Sequence, residues 1–248
     1  MSRASNLLFA IICYAVFFAT FLYLIAFVGG LPVPKTVDAP PSALTPVLAA
    51  LVDVALIALF GLQHSIMARP AFKRAWTRVV PPAAERSVYV LFASFALIIL
   101  FWLWQPIGPT VWQVAPADRW LSDILWVLFW GGFGIVLVST FLINHFELFG
   151  LQQAWLNVRG QRAEPPELRQ PLFYRWVAHP LYAGFFLAFW ATPHMTVGHL
   201  LLAVALSIYM LVAIRYEERD LTALFGDDYR RYRSGVGMLV PRFRRRSA

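Results

Sequence analysis

Four stretches of this chain are each long and apolar enough to cross a bilayer, and nothing else in the sequence limits the fold so strongly. They are Leu7 to Val28, Leu44 to Met67, Val88 to Trp104 and Trp120 to Ile143. A spanning helix needs about 20 mostly apolar residues. The third stretch is short, and Trp102 and Trp104 at its end give it the aromatic edge expected at a membrane interface. A fifth apolar region, Leu181 to Ile214, is too long for one comfortable span and is interrupted by Pro193, His194 and Gly198. It reads as a helical hairpin of two short spans, with a single kinked and tilted helix as the alternative. The expected fold is therefore an all-α, polytopic helical membrane protein. It has four full spans, a C-terminal hairpin that brings the crossings to five or six, and a helical tail.

Composition closes the other routes. Of the 248 residues, 60% are hydrophobic and 14% charged, against about a quarter charged in soluble domains. That excludes a water-facing globule, a disordered chain and a coiled coil. The single cysteine, Cys13, has no partner for an internal disulfide and lies deep in an apolar segment, where packing is its expected role. The first segment follows Arg3 but far exceeds the 7–15 residues of a signal h-region, so it is expected to stay as an anchor. Spacing shows no repeat. Residues 1–143 form a four-helix membrane region, and 144–248 a polar-site region with the hairpin and a basic tail, in one integrated domain.

Lys and Arg alternate from loop to loop. Arg69, Lys73, Arg74, Arg78 and Arg86 follow the second segment, and Arg159, Arg162, Arg169 and Arg175 follow the fourth. The tail carries Arg215, Arg219, Arg230, Arg231, Arg233, Arg242, Arg244, Arg245 and Arg246, whereas the two alternate loops hold only Lys35 and Arg119. The positive-inside rule then puts both termini in the cytoplasm, which demands an even number of crossings and favours the hairpin. Topology and contact with anionic lipid account for the net charge of +8 without nucleic-acid binding.

Polar residues are costly in a membrane protein, so their positions point to function. Four clusters lie at the ends of the segments expected to face the cytoplasm. The first is Gln63-His64-Ser65 with Arg69; His64 fits either a hydrogen-bonded helix end or a base that orients substrate. The second is Asn144-His145-Phe146-Glu147, which can terminate the fourth helix or face a site. The third runs from Tyr174 through His179-Pro180-Leu181-Tyr182-Ala183-Gly184. Pro180 suits a first helical position, which places His179 beside free backbone donors that favour an anion. Gly184 permits close approach of a ligand or another helix. The fourth is Arg215-Tyr216-Glu217-Glu218-Arg219-Asp220, followed by Phe225-Gly226, Tyr229, Tyr232 and Pro241. Its carboxylates suit a solvated interfacial face or hydrogen bonds from ribose hydroxyls or an amino group. No metal-ligand set, Walker loop, GxGxxG run or serine triad pattern is present.

The third and fourth clusters together resemble the isoprenylcysteine carboxyl methyltransferase superfamily. His179-Pro180, Tyr182, Gly184, Glu217-Glu218, Leu221, Phe225-Gly226, Tyr229, Tyr232 and Pro241 match its pattern in order and spacing. Ala178 stands where that pattern has Arg, with Arg175 three residues earlier. Gln63-His64-Ser65-Ile66-Met67-Ala68-Arg69, Phe72-Lys73, Glu85 to Leu91 and Asn144 to Leu151 narrow the resemblance to the bacterial membrane-embedded methanethiol S-methyltransferases. It then covers most of the chain.

This resemblance implies S-adenosyl-L-methionine-dependent methylation of methanethiol to dimethyl sulfide in a bacterial inner membrane. The cofactor would meet His179, Pro180, Tyr182, Gly184, Glu217, Glu218, Tyr229 and Tyr232, the aromatic faces serving its cationic sulfur. The acceptor has to lose a proton; even a cysteine thiol has a pKa of about 8.5. His64 is the expected base, Arg69 an electrostatic aid to the thiolate, and His145 a reserve base. Other acceptors remain open, among them a prenylcysteine carboxylate, hydrogen sulfide and a phospholipid amine. So does a non-catalytic accessory role in nitrogen-oxide metabolism. Transport fits poorly, because Asp53 is the only acidic residue deep in a segment.

Overall fold

The computed structural model describes residues 2–161, 165 and 167–242; Arg162, Arg244, Arg245 and Arg246 of the charge pattern lie outside them. Among the described residues, five helices are long and apolar enough to span a bilayer. They are α1 (Arg3–Gly29), α2 (Pro46–Ala68), α4 (Pro82–Leu103), α5 (Arg119–Ile143) and α9 (Val197–Phe225). Short helices α3 (Pro70–Trp76), α6 (His145–Leu148), α7 (Leu151–Arg159) and α10 (Asp227–Gly235) border them, and α8 (Pro180–Trp190) is an apolar helix of 11 residues. Strands β1 (Thr110–Gln113) and β2 (His194–Thr196) pair antiparallel with a register shift between Thr110 and Trp112.

Local chemistry sets the helix ends. The Ser2 side chain accepts from the Ser5 N–H to cap α1, and Gly30 ends that helix at φ 64°. Proline occupies the first turn of α2, α3, α4 and α8, where its missing N–H costs nothing. Pro82 starts α4 six residues before the apolar run, so Glu85, Arg86 and Tyr89 all ride on that helix. Large apolar side chains face outward around the bundle, with Val47 74% and Val127 71% exposed. A surface of that kind belongs in lipid.

The break in the fifth apolar region falls at Ala191–Thr196, but its two arms are unequal. No breaker stands between Ile214 and Gly226, so α9 runs on for 29 residues and carries Glu217 and Glu218 on its last turns. The other arm, α8, is about 16 Å long at about 1.5 Å per residue; the extended residues around β2 complete that passage. Among the described residues the chain thus passes between the two ends of the bundle six times, five of them as helices of spanning length, and β1–β2 covers the end opposite the arginine-rich loops. Trp190 Nε1 donates to Ser207 Oγ at 3.0 Å, and His199 Nε2 lies 3.1 Å from the Phe189 carbonyl, tying α8 to α9.

Two glycines let α8 press against α5. A Cβ on Gly184 would meet the Gly132 carbonyl oxygen at 2.6 Å, and one on Gly132 would meet the Ala188 nitrogen at 2.7 Å. Small residues at a helix crossing are the usual solution inside a membrane. Phe129, Phe133, Phe189, Phe27, Phe101 and Leu202 continue the core from there. One expectation fails here: Trp104 is fully buried, its Nε1 donating to the Val37 carbonyl at 3.0 Å, so Trp102 alone forms the exposed edge of that pair. Asp53, also fully buried, accepts from the Gln105 N–H at 2.8 Å and so ties α2 to the end of α4.

Candidate active site

A cavity of about 580 Å³ opens among α1, α2, α4, α5, α8 and α9 and reaches from the arginine-rich end deep into the bundle. Its volume falls in the usual range for ligand pockets, about 300–1,000 Å³. Most of its wall is aliphatic or aromatic. The polar groups gather at one end, where helix termini meet.

On one side of that end stands His64, in the last turns of α2. Its Nε2 is 2.8 Å from the Tyr89 hydroxyl of α4, and its Nδ1 is a buried atom with no hydrogen-bond partner. Such an orphan costs about 1–3 kcal/mol and calls for an explanation; this one belongs to a residue that lines the cavity. Arg86 lies over the Tyr89 ring at 5.1 Å and donates to the Leu148 carbonyl at 2.7 Å. Arg69 bonds Asp220 at 3.1 Å and covers Tyr216. With Lys73 these two arginines form a positive collar at the mouth. Burial, helped by Arg86, lowers the pKa of Lys73 from its usual value.

Facing it is the start of α8. His179 is buried at the N-cap, held by backbone bonds from its own N–H to the Met238 carbonyl (3.1 Å) and from Ala178 N–H to the Gly237 carbonyl (2.8 Å). No side chain caps α8, which leaves the Leu181 and Tyr182 N–H groups without an intrahelical partner beside the cavity. The His179 ring meets both carboxylates of α9, with Nε2 3.1 Å from Glu218 and Nδ1 3.9 Å from Glu217. Arg233 of α10 binds the same Glu218 oxygen. Glu217 and Tyr182 face the cavity; Glu218 stands behind His179 and does not line it.

The remaining expected site residues sort themselves by place. His145 lines the cavity, but both ring nitrogens are engaged: Nε2 with Tyr14 and Nδ1 with Thr140, each at 2.8 Å. Phe141 stacks on its ring at 4.0 Å. Desolvation lowers the pKa of this histidine, so it stays neutral. Asn144 ends α5 and caps α6 by accepting from the Glu147 N–H. Pro180 is buried in the first turn of α8, and Gly184 packs on α5; neither lines the cavity. Tyr229 and Tyr232 also lie outside the lining. Tyr229 is buried with an unpartnered hydroxyl, while Tyr232 donates to the Tyr174 carbonyl at 2.8 Å. Burial pushes Tyr232 up to about 12, which keeps that donor protonated.

Arg175, the nearest basic residue in sequence to the Arg missing at Ala178, is exposed and outside the lining. The guanidinium that reaches the His179 cluster is that of Arg233 instead. Tyr89, Arg86, Tyr14 and Arg233 are residues of this site that the sequence does not single out as such. The first two stood in a run already matched by resemblance, and that was the available signal.

Fold and site define a multi-pass helical membrane protein with a deep cavity, polar at the arginine-rich end and apolar within. The chain belongs to the methanethiol S-methyltransferase family. It is 51% identical over 244 residues to the methanethiol S-methyltransferase of Pseudomonas deceptionensis, covering 98% of this chain and 92% of that one. With the protein of the same name from Mycobacterium tuberculosis it shares 50% identity over 243 residues, 97% and 98% of the two chains. Nurim of Mus musculus is more distant, 32% identical over 84% of this chain and 83% of its own. No family model and no solved structure matches.

Proposed function

We propose that this protein methylates methanethiol to dimethyl sulfide with S-adenosyl-L-methionine as donor, at the polar end of the cavity. The observation that carries the reading is the meeting, in one cavity, of an imidazole with a free ring nitrogen and an uncapped helix start beside a carboxylate. Chain-length identity of about half to proteins named for this reaction supports it.

The residues present fit the donor. The Leu181 and Tyr182 N–H groups at the start of α8 suit its carboxylate. Glu217 suits its ammonium or ribose hydroxyls, and the faces of Tyr182 and Tyr174 suit a cationic sulfur. His179, Glu218 and Arg233 act behind these groups and fix Glu217 and the helix start in place. When bound, the donor supplies a methyl group on a positively charged sulfur, which needs only alignment with a thiolate.

His64 supplies the thiolate. Its Nε2 pairs with the Tyr89 hydroxyl at 2.8 Å; in the tautomer in which Nε2–H donates to that oxygen, Nδ1 is left to take the thiol proton. The collar of Arg69, Lys73 and Arg86 favours the anion so formed. Residues 1–143 thereby supply the wall with the base, and residues 144–248 the donor-binding wall. The arginine-rich end lies in the cytoplasm of a bacterial inner membrane, against anionic lipid, which gives a water-soluble donor access and lets a volatile thiol enter from lipid. The deciding experiment is methyl transfer from labelled donor to methanethiol by the purified protein, with dimethyl sulfide read in the headspace. Absence of product from folded protein overturns the assignment.

A further inference from the structure

Beyond the His64–Tyr89 pair the cavity does not close. Along α4 its lining continues from Tyr89 through Ala93 and Leu97 to Leu100, and Phe27, Phe189 and Leu202 complete the inner end. Tyr89 and Leu100 are eleven helical residues apart, so this arm reaches about 16 Å past the imidazole at about 1.5 Å per residue. Trp104, fully buried, packs edge-on behind Phe27 at 5.9 Å and floors it.

The arm offers little to water. Its hydroxyl protons are engaged by their own helices, Thr20 donating to the Val16 carbonyl at 2.7 Å and Ser94 to the Val90 carbonyl at 2.8 Å, which leaves only weak acceptors there. Apolar space without free polar partners stays dry and takes apolar guests. Methanethiol has one carbon; with its sulfur beside His64 it fills only the first few ångströms.

We propose that this arm is an aliphatic subsite, and that the protein also accepts linear alkanethiols with tails of several carbons. The proposal rests on the reaction assigned to His64. The tail leaves the chemistry unchanged. The S–H proton passes to His64, the thiolate lone pair forms the new S–CH3 bond, and the electron pair of the broken methyl–sulfonium bond stays on the donor sulfur. An alkyl methyl sulfide and a neutral thioether result.

Two measurements on the full chain in lipid nanodiscs test it. In the first, a hexanethiol analogue with a terminal diazirine is photolysed on the protein, and the labelled peptides are mapped by mass spectrometry. Label at Leu97, Leu100 or Leu202, displaced by hexyl methyl sulfide, is expected. Label confined to bilayer-facing Val127 and Ile208 means that lipid fills the arm, and overturns the proposal. The second compares methanethiol, butanethiol and hexanethiol. Referred to aqueous thiol concentration, kcat/KM should rise about fourfold per buried methylene. Ala93→Leu, one helical turn inward from Tyr89, should abolish that gain and spare methanethiol turnover. Turnover of methanethiol alone removes the subsite and leaves the assigned reaction standing; turnover of none of the three removes both.

Discussion

The molecule contains the same pair of side chains twice, at two places along one cavity, and uses them differently. On the α2–α4 wall His64 Nε2 is 2.8 Å from the Tyr89 hydroxyl; on the α1–α5 wall His145 Nε2 is 2.8 Å from the Tyr14 hydroxyl. The second ring nitrogen separates them. Thr140 spends its one hydroxyl proton on the Leu137 carbonyl, so its oxygen accepts from His145 Nδ1–H. That fixes the His145 tautomer and commits its Nε2 lone pair to the Tyr14 O–H. His145 is left with no capacity for another proton unless a bond breaks. His64 Nδ1 has no such partner. Of two histidines that both suit a base by position, only one keeps an unengaged ring nitrogen.

The largest expected consequence lies at His64. His64→Ala should lower kcat by about 10²–10⁴-fold, the range for a lost general base, while S-adenosylhomocysteine still binds by calorimetry. Loss of that binding instead would place His64 on the donor side and erase the contrast. Tyr89→Phe comes next: it removes one hydrogen bond that sets the tautomer and should cost about tenfold in kcat with KM little changed. An unaltered kcat would show that the ring needs no such guide.

How much of this could be read beforehand divides along physical lines. The long spans were legible because bilayer thickness demands length and hydrophobicity, both of which a sequence displays directly. So was the break at Pro193. The inequality of α8 and α9 was not, since the polar stretch Arg215–Asp220 looks like the end of a span by hydropathy yet holds no helix breaker. Trp104 misled for a related reason: hydropathy does not say which way a helix faces, and this one turns inward. At the site, His64, His179 and Glu217 were legible as polar residues placed at a cost. Their partners were not. Tyr89 meets His64 across 25 residues, and Arg233 meets Glu218 across a bend at Gly226. Both pairings depend on helix rotation, which no local pattern encodes.

His145→Ala tests the other half of the contrast. It should leave kcat within about threefold of normal but lower the apparent melting temperature in detergent, because two buried hydrogen bonds of about 0.5–1.5 kcal/mol each disappear. Its effect should also depend on pH. Desolvation places the folded-state pKa of His145 below the ordinary histidine value, so the unfolded chain binds this proton first as pH falls. Stability conferred by the neutral ring is present above the unfolded pKa, about 6.5, and is lost as pH falls below it. The wild-type melting temperature should therefore drop on acidification more steeply than that of the variant. Parallel curves would mean that His145 is not a neutral structural tie.

The smallest effect, and the sharpest comparison with Tyr89→Phe, belongs to Tyr14→Phe. It deletes one hydroxyl bonded to His145 Nε2 and leaves the Thr140 bond in place. The ring stays stacked on Phe141, so its position is retained. A loss of about 1 kcal/mol lowers the melting temperature of a chain this size by about 2–4 °C, and turnover should not change. The two substitutions remove the same atom from the same kind of pair, so a tenfold loss at Tyr89 beside none at Tyr14 isolates the free nitrogen as the cause. If Tyr14→Phe slows turnover as much as Tyr89→Phe does, the two histidines share the work and the distinction drawn from Thr140 fails.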